Sequence, residues 1–185
     1  MLNIGQEIHQ TGGPDQEKEL TALYDALLAA LHQEIEVYRE LRETVLSEKD
    51  VLKRSSVDEL IASNTKKETL ILKAKMLEEV KMNTSKKIAK LVGYAGKDIH
   101  MTMLAAYADG RRKKAIKTCQ SILRKLTEDI NKTNRSNMEF MSISLQSIVG
   151  SINFLHNIIF AGDTYSGEGK MATMNPNGRF INAEG

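Results

Sequence analysis

Residues 111–160 read RRKKAIKTCQSILRKLTEDINKTNRSNMEFMSISLQSIVGSINFLHNIIF, fifty residues with no proline and one glycine, Gly150. Apolar or small side chains recur through it at Cys119, Leu123, Leu126, Ile130, Thr133, Asn137, Met141, Leu145, Ile148, Ile152, Leu155 and Ile159. The steps alternate four and three, the spacing that keeps one stripe of a helix against its neighbours. Only from Thr133 to Leu145 do steps of four follow one another, a stutter that locally unwinds a coiled coil without ending the helix. At ~1.5 Å per residue such a helix is roughly 75 Å long. The rest of the chain is read as what packs on it.

Working back from Arg111, Asp109-Gly110 is a break, and Asp98 can cap a short helix through about Ala108 that carries Ile99, Met103, Leu104 and Tyr107. Before it, Ser56-Val57-Asp58-Glu59 has the form of a capping box and opens a helix expected to end near Gly93 or Gly96. Its apolar residues are Leu60, Ile61, Ile71, Leu72, Leu77, Val80, Ile88, Leu91 and Val92, with a polar middle from Ser63 to Thr69. The first helix opens at Pro14 or Asp15 and has the seam Leu20, Tyr24, Leu27, Leu31, Glu34, Tyr38, Leu41, Val45, Glu48 and Leu52. Glu34 and Glu48 stand where leucine packs better, so they are expected at the edge of the seam, reaching solvent. The connection at residues 54–56 is short enough to make the first two long helices an antiparallel hairpin.

The sequence therefore predicts an all-α fold, an elongated antiparallel bundle or coiled coil of three long helices with one short connecting helix. The expected divisions are a flexible leader over 1–14, a helical bundle domain over 15–160 and a flexible Gly-rich tail over 161–185. Within the domain the helices fall at about 15–53, 56–93, 98–108 and 111–160. The last helix exceeds the other two by roughly 20 Å, so its final ~13 residues, apolar on more than one face, should overhang the hairpin. Such a surface calls for a cover: the tail, a bend or another chain.

Composition narrows the function. Aromatic content is 5% and tryptophan is absent, which suits slender helical packing rather than a broad core. The start has no basic and apolar regions of a signal peptide, no run of ~18 apolar residues is present, and the single Cys119 has no partner for an intramolecular disulfide. A cytoplasmic protein without membrane insertion is expected, with Cys119 as a small core filler. No histidine has a glutamate three residues before it, so the di-iron signature of long-helix bundles is missing, as are nucleotide-binding loops, zinc spacings and nucleophile elbows. The expectation is a protein that is not an enzyme and holds neither metal nor cofactor.

Charge is uneven. Residues 86–135 contain thirteen Lys/Arg and four Asp/Glu, net +9, with Arg111-Arg112-Lys113-Lys114 the densest cluster; residues 15–54 are net −4, from six and ten. A basic face can serve an acidic partner or nucleic acid, but there are no interleaved aromatics for base stacking and no groove-reading motif. The simpler reading sets basic helices against an acidic first helix, and no nucleic-acid partner is expected. Asn131, Asn134 and Asn137 recur every three residues where the stutter falls, followed by Met138 and Met141. Two readings stay open there: buried hydrogen bonds fixing helix register, or a loosely packed segment with adaptable methionines.

Three features resemble the FlgN family, flagellar type III export chaperones for the hook-associated (hook–filament junction) proteins. The stretch from Leu27 to Leu41, with its leucines, Glu34 and Tyr38, is similar to the family's opening helix. Ser56-Val57-Asp58-Glu59-Leu60, Lys66-Lys67-Glu68 and Leu77-Glu78-Glu79 resemble its Leu-rich Lys-Glu and Leu-Glu blocks, although Lys81 stands where arginine is more familiar. Asn134-Arg135-Ser136-Asn137, the apolar run to Phe160 and Thr164-Tyr165-Ser166-Gly167 follow the family's order of Asn-rich turn, long apolar helix and Thr-Tyr-x-x-Gly tail. The resemblance covers about residues 20–170; nothing in 1–19 matches, and the tail beyond Gly169 is not placed.

The resemblance implies a chaperone that holds C-terminal segments of hook-associated proteins in the cytoplasm, prevents premature assembly and delivers them to the membrane export gate. The implied partner-binding residues are Met138, Met141, Leu145, Ile148, Ile152, Leu155, Ile159 and Phe160, with Tyr165 as a candidate contact to the export-gate membrane protein. The competing reading of the same apolar residues is ordinary helix packing, in which the helix end closes a homo-oligomer as a structural coiled coil.

Overall fold

The computed structural model describes residues 13–96 and 99–161, and for 159–161 the backbone alone. The described residues are helical and contain no strand: α1 (Pro14–Arg54), α2 (Val57–Leu91), α3 (Met101–Tyr107) and α4 (Gly110–Ala161). The leader 1–12, Asp98 as a cap, and the tail from 162 lie outside the described residues. Two compact units divide the chain, Met1–Glu139 and Phe140–Gly185, and the division falls inside α4.

The ends of the helices follow from local chemistry. Pro14 occupies the first turn of α1, where its missing N–H is no loss, with Asp15 and Glu17 beside the positive end of the helix dipole. Ser55 ends α1 in the left-handed region at φ 54. The capping box expected at Ser56 is not made: its side chain forms no cap hydrogen bond, and the carboxylate of Glu59 instead accepts from Arg54 at 2.6 Å. The two-residue link holds without it. Since a side chain in the left-handed region costs about 1 kcal/mol, Ser55→Gly should raise stability by about 0.5–1 kcal/mol in denaturant titration, less what glycine adds to unfolded-chain entropy.

At the far end of α2, Gly93 takes φ 67, its N–H donates to the Lys90 carbonyl at 3.2 Å, and Tyr94 N–H donates to Ala89 O at 2.9 Å. This pair of bonds is a Schellman closure, and it places the stop at Gly93 because only glycine reaches that conformation without strain.

In the first unit α1 and α2 are antiparallel, in a register set by charge. Glu34 meets Lys81 at 2.6 Å, and Glu48 meets Lys67; 34 to 48 and 81 to 67 are both fourteen residues, two heptads. Both glutamates are buried, at 5% and 3% exposure, so the expectation that they reach solvent is overturned. The reason lies on the opposing helix. The core-facing residues of α2 fall at Ser63, Lys67, Leu70, Ala74, Leu77, Lys81, Thr84 and Ile88, a regular four-three seam in which polar and small residues outnumber large apolar ones. Ile61, Ile71, Leu72 and Val80, expected on that seam, are exposed instead. The lysines of α2 answer the glutamates of α1, while Leu70 packs with Leu41 and Val45.

The part of α4 inside this unit runs alongside α1 in the same direction: Arg112 bonds Asp25, Arg42 bonds Asp129, and Asn137 meets Val45 and Glu48. Ile116, Cys119 and Leu126 join Tyr24, Leu27, Leu31 and Ile35 of α1, Ile88 of α2, and Leu104 and Ala105 of α3 in the main core. Cys119 is buried as expected, and burial pushes its thiol pKa up, the direction of an unreactive side chain.

α3 is held by Tyr24, whose hydroxyl donates to the Leu104 carbonyl at 2.8 Å. That carbonyl lies in the last turn of α3, among those a helix leaves without an internal partner. Burial, opposed by the nearby Arg112 charge, pushes the Tyr24 pKa up to about 12. The neutral phenol is thus favoured in the fold, and its contribution is complete below the ordinary value near 10 and lost as pH rises to about 12. Tyr24→Phe should therefore destabilise the protein by about 1–2 kcal/mol at pH 7. Thermal melts followed from pH 9 to 12 should show the gap between wild type and variant closing across that window.

Candidate functional site

α4 changes character at its middle. Up to Asn137 its seam is packed: Cys119 and Leu126 are buried, Leu123, Ile130 and Thr133 are half-buried, and Asn137 is 2% exposed. The Asn137 amide donates to the Val45 carbonyl at 2.9 Å and to Glu48 Oε2 at 3.1 Å, on the carboxylate that also pairs with Lys67. Of the two readings of the asparagine-rich segment, register fixing holds for Asn137. Asn131 and Asn134 are exposed.

Beyond it, from Phe140 through Gly162, the chain contains no Asp, Glu, Lys or Arg. α4 continues unbroken through Gly150, where a side chain would meet nothing. Yet every apolar side chain described from Met138 to Ile158 is exposed, by 37% to 66%. These residues are Met138, Phe140, Met141, Ile143, Leu145, Ile148, Val149, Ile152, Phe154, Leu155 and Ile158. Side chains of this size each contribute about 1.5–3 kcal/mol when fully buried rather than exposed, so the segment holds a large unrealised stabilisation.

At 100° per residue the segment carries two seams. Met141, Leu145, Ile148, Ile152 and Leu155 form the first. Phe140, Ile143, Phe154 and Ile158 form a second about a third of a turn away, with Ser147 and Gly150 filling its centre. Bulky residues at both ends of a small-residue middle make a shallow saddle into which another helix can settle. Ser151 donates its hydroxyl to Ser147 O at 2.9 Å, as Thr133 does to Asp129 O, so these hydroxyls are satisfied within the helix. Ser142, Gln146, Val149, Asn153 and Asn157 face away from both seams.

The structure therefore brings Met138, Met141, Leu145, Ile148, Ile152 and Leu155 onto one exposed helix. It does not describe the side chains of Ile159 and Phe160, or Tyr165 at all. The second seam was absent from the candidate set; a second four-three count started at Phe140 and Ile143 would have found it.

Elsewhere the chemistry is sparse. Among the described residues no cluster of His, Cys, Asp and Glu could hold a metal ion. His32, His100 and His156 are exposed. The basic cluster at the start of α4 divides in two. Arg112 is tied to Asp25 and Asp109, whose carboxylate accepts from the Arg112 backbone N–H and is thereby held below its usual pKa. Arg111, Lys113 and Lys114 make no ion pair among the described residues. No described helix is long and apolar enough to cross a membrane.

The family model for FlgN protein matches residues 23–173, most of the chain and all of the exposed segment. No curated protein and no solved structure matches it.

Proposed function

The chain belongs to the FlgN family of flagellar export chaperones, and from that premise we propose that the end of α4 is where it receives its client. The family is one of chaperones in flagellum biogenesis and not of enzymes. In this reading the protein binds C-terminal segments of hook-associated proteins in the cytoplasm, prevents their premature assembly and delivers them to the export gate. The observation that carries it is the charge-free, exposed, two-seamed helix of residues 140–158.

The recognition is helix-in-groove in kind. Amphipathic helical client segments lay their apolar faces on Met141, Leu145, Ile148, Ile152 and Leu155, with Ile159 and Phe160 extending the seam and Met138 adjusting at its start. Two seams accommodate two client helices, one on each side. Without charges, the contact discriminates by shape and apolar spacing, and long-range electrostatic steering contributes little. Tyr165 remains the proposed contact to the export gate.

The test is co-expression with the C-terminal segments of hook-associated proteins from the same genome, sized by native mass spectrometry. A one-to-one complex is expected with the full chain and not with a chain truncated after Leu145. A homodimer that forms without client, and no complex, would assign the seams to self-association and sink the chaperone site.

A further inference from the structure

A separate groove lies in the first unit, between α2, the segment before α3, and α4. Its volume is about 970 Å³, close to the roughly 850 Å³ that two turns of a helix ~10 Å across occupy. The floor is apolar, from the half-buried Ile99, Met101 and Leu123, while Leu31 of α1, which also lines the groove, is 1% exposed. The rim is cationic: Lys86 rises from α2, and Lys117 and Arg124 from α4.

Among the described residues these cations have no strong partner. Lys86 and Lys117 make no ion pair among the described residues, and Arg124 has only a solvent-exposed contact with Glu128 at 3.5 Å, of a kind that contributes little. The one carboxylate among the described residues lining the groove is Glu78, and it is taken: Lys81 Nζ lies 2.6 Å from it and 2.6 Å from Glu34. The field of the groove is positive over an apolar floor.

We propose that this groove is a second docking surface, distinct from the end of α4, which takes an acidic amphipathic helix of a partner protein. Apolar residues on one face of the helix cover Ile99, Met101 and Leu123, and carboxylates on its flanks reach Lys86, Lys117 and Arg124. Charge complementarity selects the sign of the partner, and the apolar floor selects a peptide over a nucleic acid, which would leave Ile99 and Leu123 facing phosphate and find no aromatic ring for its bases. The surface does not depend on the client reading, since it lies wholly within residues 31–124.

The experiment uses full-length protein and fluorescence anisotropy. The probes are a labelled Leu/Glu amphipathic helix of about five turns, its Leu/Lys counterpart, a duplex DNA and phosphatidylserine vesicles. The Leu/Glu helix should bind saturably at one site, weaken as salt rises, and lose roughly tenfold in affinity with Lys86→Glu and Lys117→Glu combined. Both side chains are exposed, so circular dichroism should be unchanged, and Lys86→Gln with Lys117→Gln should give a smaller loss in the same direction. Truncation after Leu145 should leave this binding intact. A Leu/Lys helix weakened as much as the Leu/Glu helix by the charge reversals, indifference of the Leu/Glu helix to both double substitutions, no saturable binding, or tighter binding of DNA or vesicles that the same substitutions abolish would each overturn the proposal.

Discussion

Ile152→Asp should abolish client capture while leaving the free protein as stable as before. In the free chain Ile152 is 59% exposed, so a carboxylate there stays in water and the fold is expected to shift by less than about 0.5 kcal/mol. In the complex the same carboxylate would be buried in the middle of an uncharged seam with no cation within the segment to answer it. Desolvation of an unpaired charge costs several kcal/mol at least, so affinity should fall by about a hundredfold or more. Asn153→Asp, one residue further and facing away from both seams, is the control and should change affinity by no more than about twofold. Phe154→Asp reads the second seam: a loss comparable to that of Ile152→Asp supports two client helices, and no loss leaves one. Co-purification and titration calorimetry with a client segment read all three. Full binding by Ile152→Asp with normal helicity would remove the first seam from the interface.

The second large effect is on stability. Lys81→Met should destabilise the protein by about 3–5 kcal/mol, because it strands the Glu34 carboxylate among apolar side chains. Burial by itself would push the pKa of Lys81 down, but its hydrogen bonds to Glu34 and Glu78 outweigh burial and hold it above the ordinary value. The charged pair is therefore the folded form, and its contribution persists up to the ordinary lysine pKa and is lost as pH climbs past the raised one. Removing both partners, Glu34→Leu with Lys81→Met, leaves no stranded charge and should restore most of the loss or exceed wild-type stability. What the double variant should lose is register: with one of the two buried ionic crossings between α1 and α2 gone, sliding by a heptad meets less opposition. Urea titrations give the first result. Cysteine cross-linking across α1 and α2 gives the second, with a single in-register product for wild type and several for the double variant.

These two sites mark what was legible in the sequence. The helical class and the seams of α1 and α4 were readable because large apolar residues carry a four-three count unaided. The packed seam of α2 was not. Its positions are held by Ser63, Lys67, Ala74, Lys81 and Thr84, which no hydropathy pattern picks out, while Ile61, Leu72 and Val80 drew the count to the exposed face. Glu34 and Glu48 were misplaced for the same reason: a seam glutamate reads as an edge residue until the lysine opposite it is known, and that lysine is on another helix. Asn137 could be narrowed to two readings, and only its contacts with Val45 and Glu48 decided between them. The capping box failed because Arg54, not visible as a competitor in the four-residue pattern, takes the Glu59 carboxylate. At the candidate site the first seam was found by its period, and the second was hidden behind serines and a glycine.

The most direct test of the client site is hydrogen–deuterium exchange on the protein with and without the C-terminal segment of a hook-associated protein. The account predicts slowed exchange in the amides of residues 140–158, where exposed side chains leave the helix free to open, with α1 and α2 little changed. Unchanged exchange over 140–158, with protection gained on α1 or α2 instead, would contradict it.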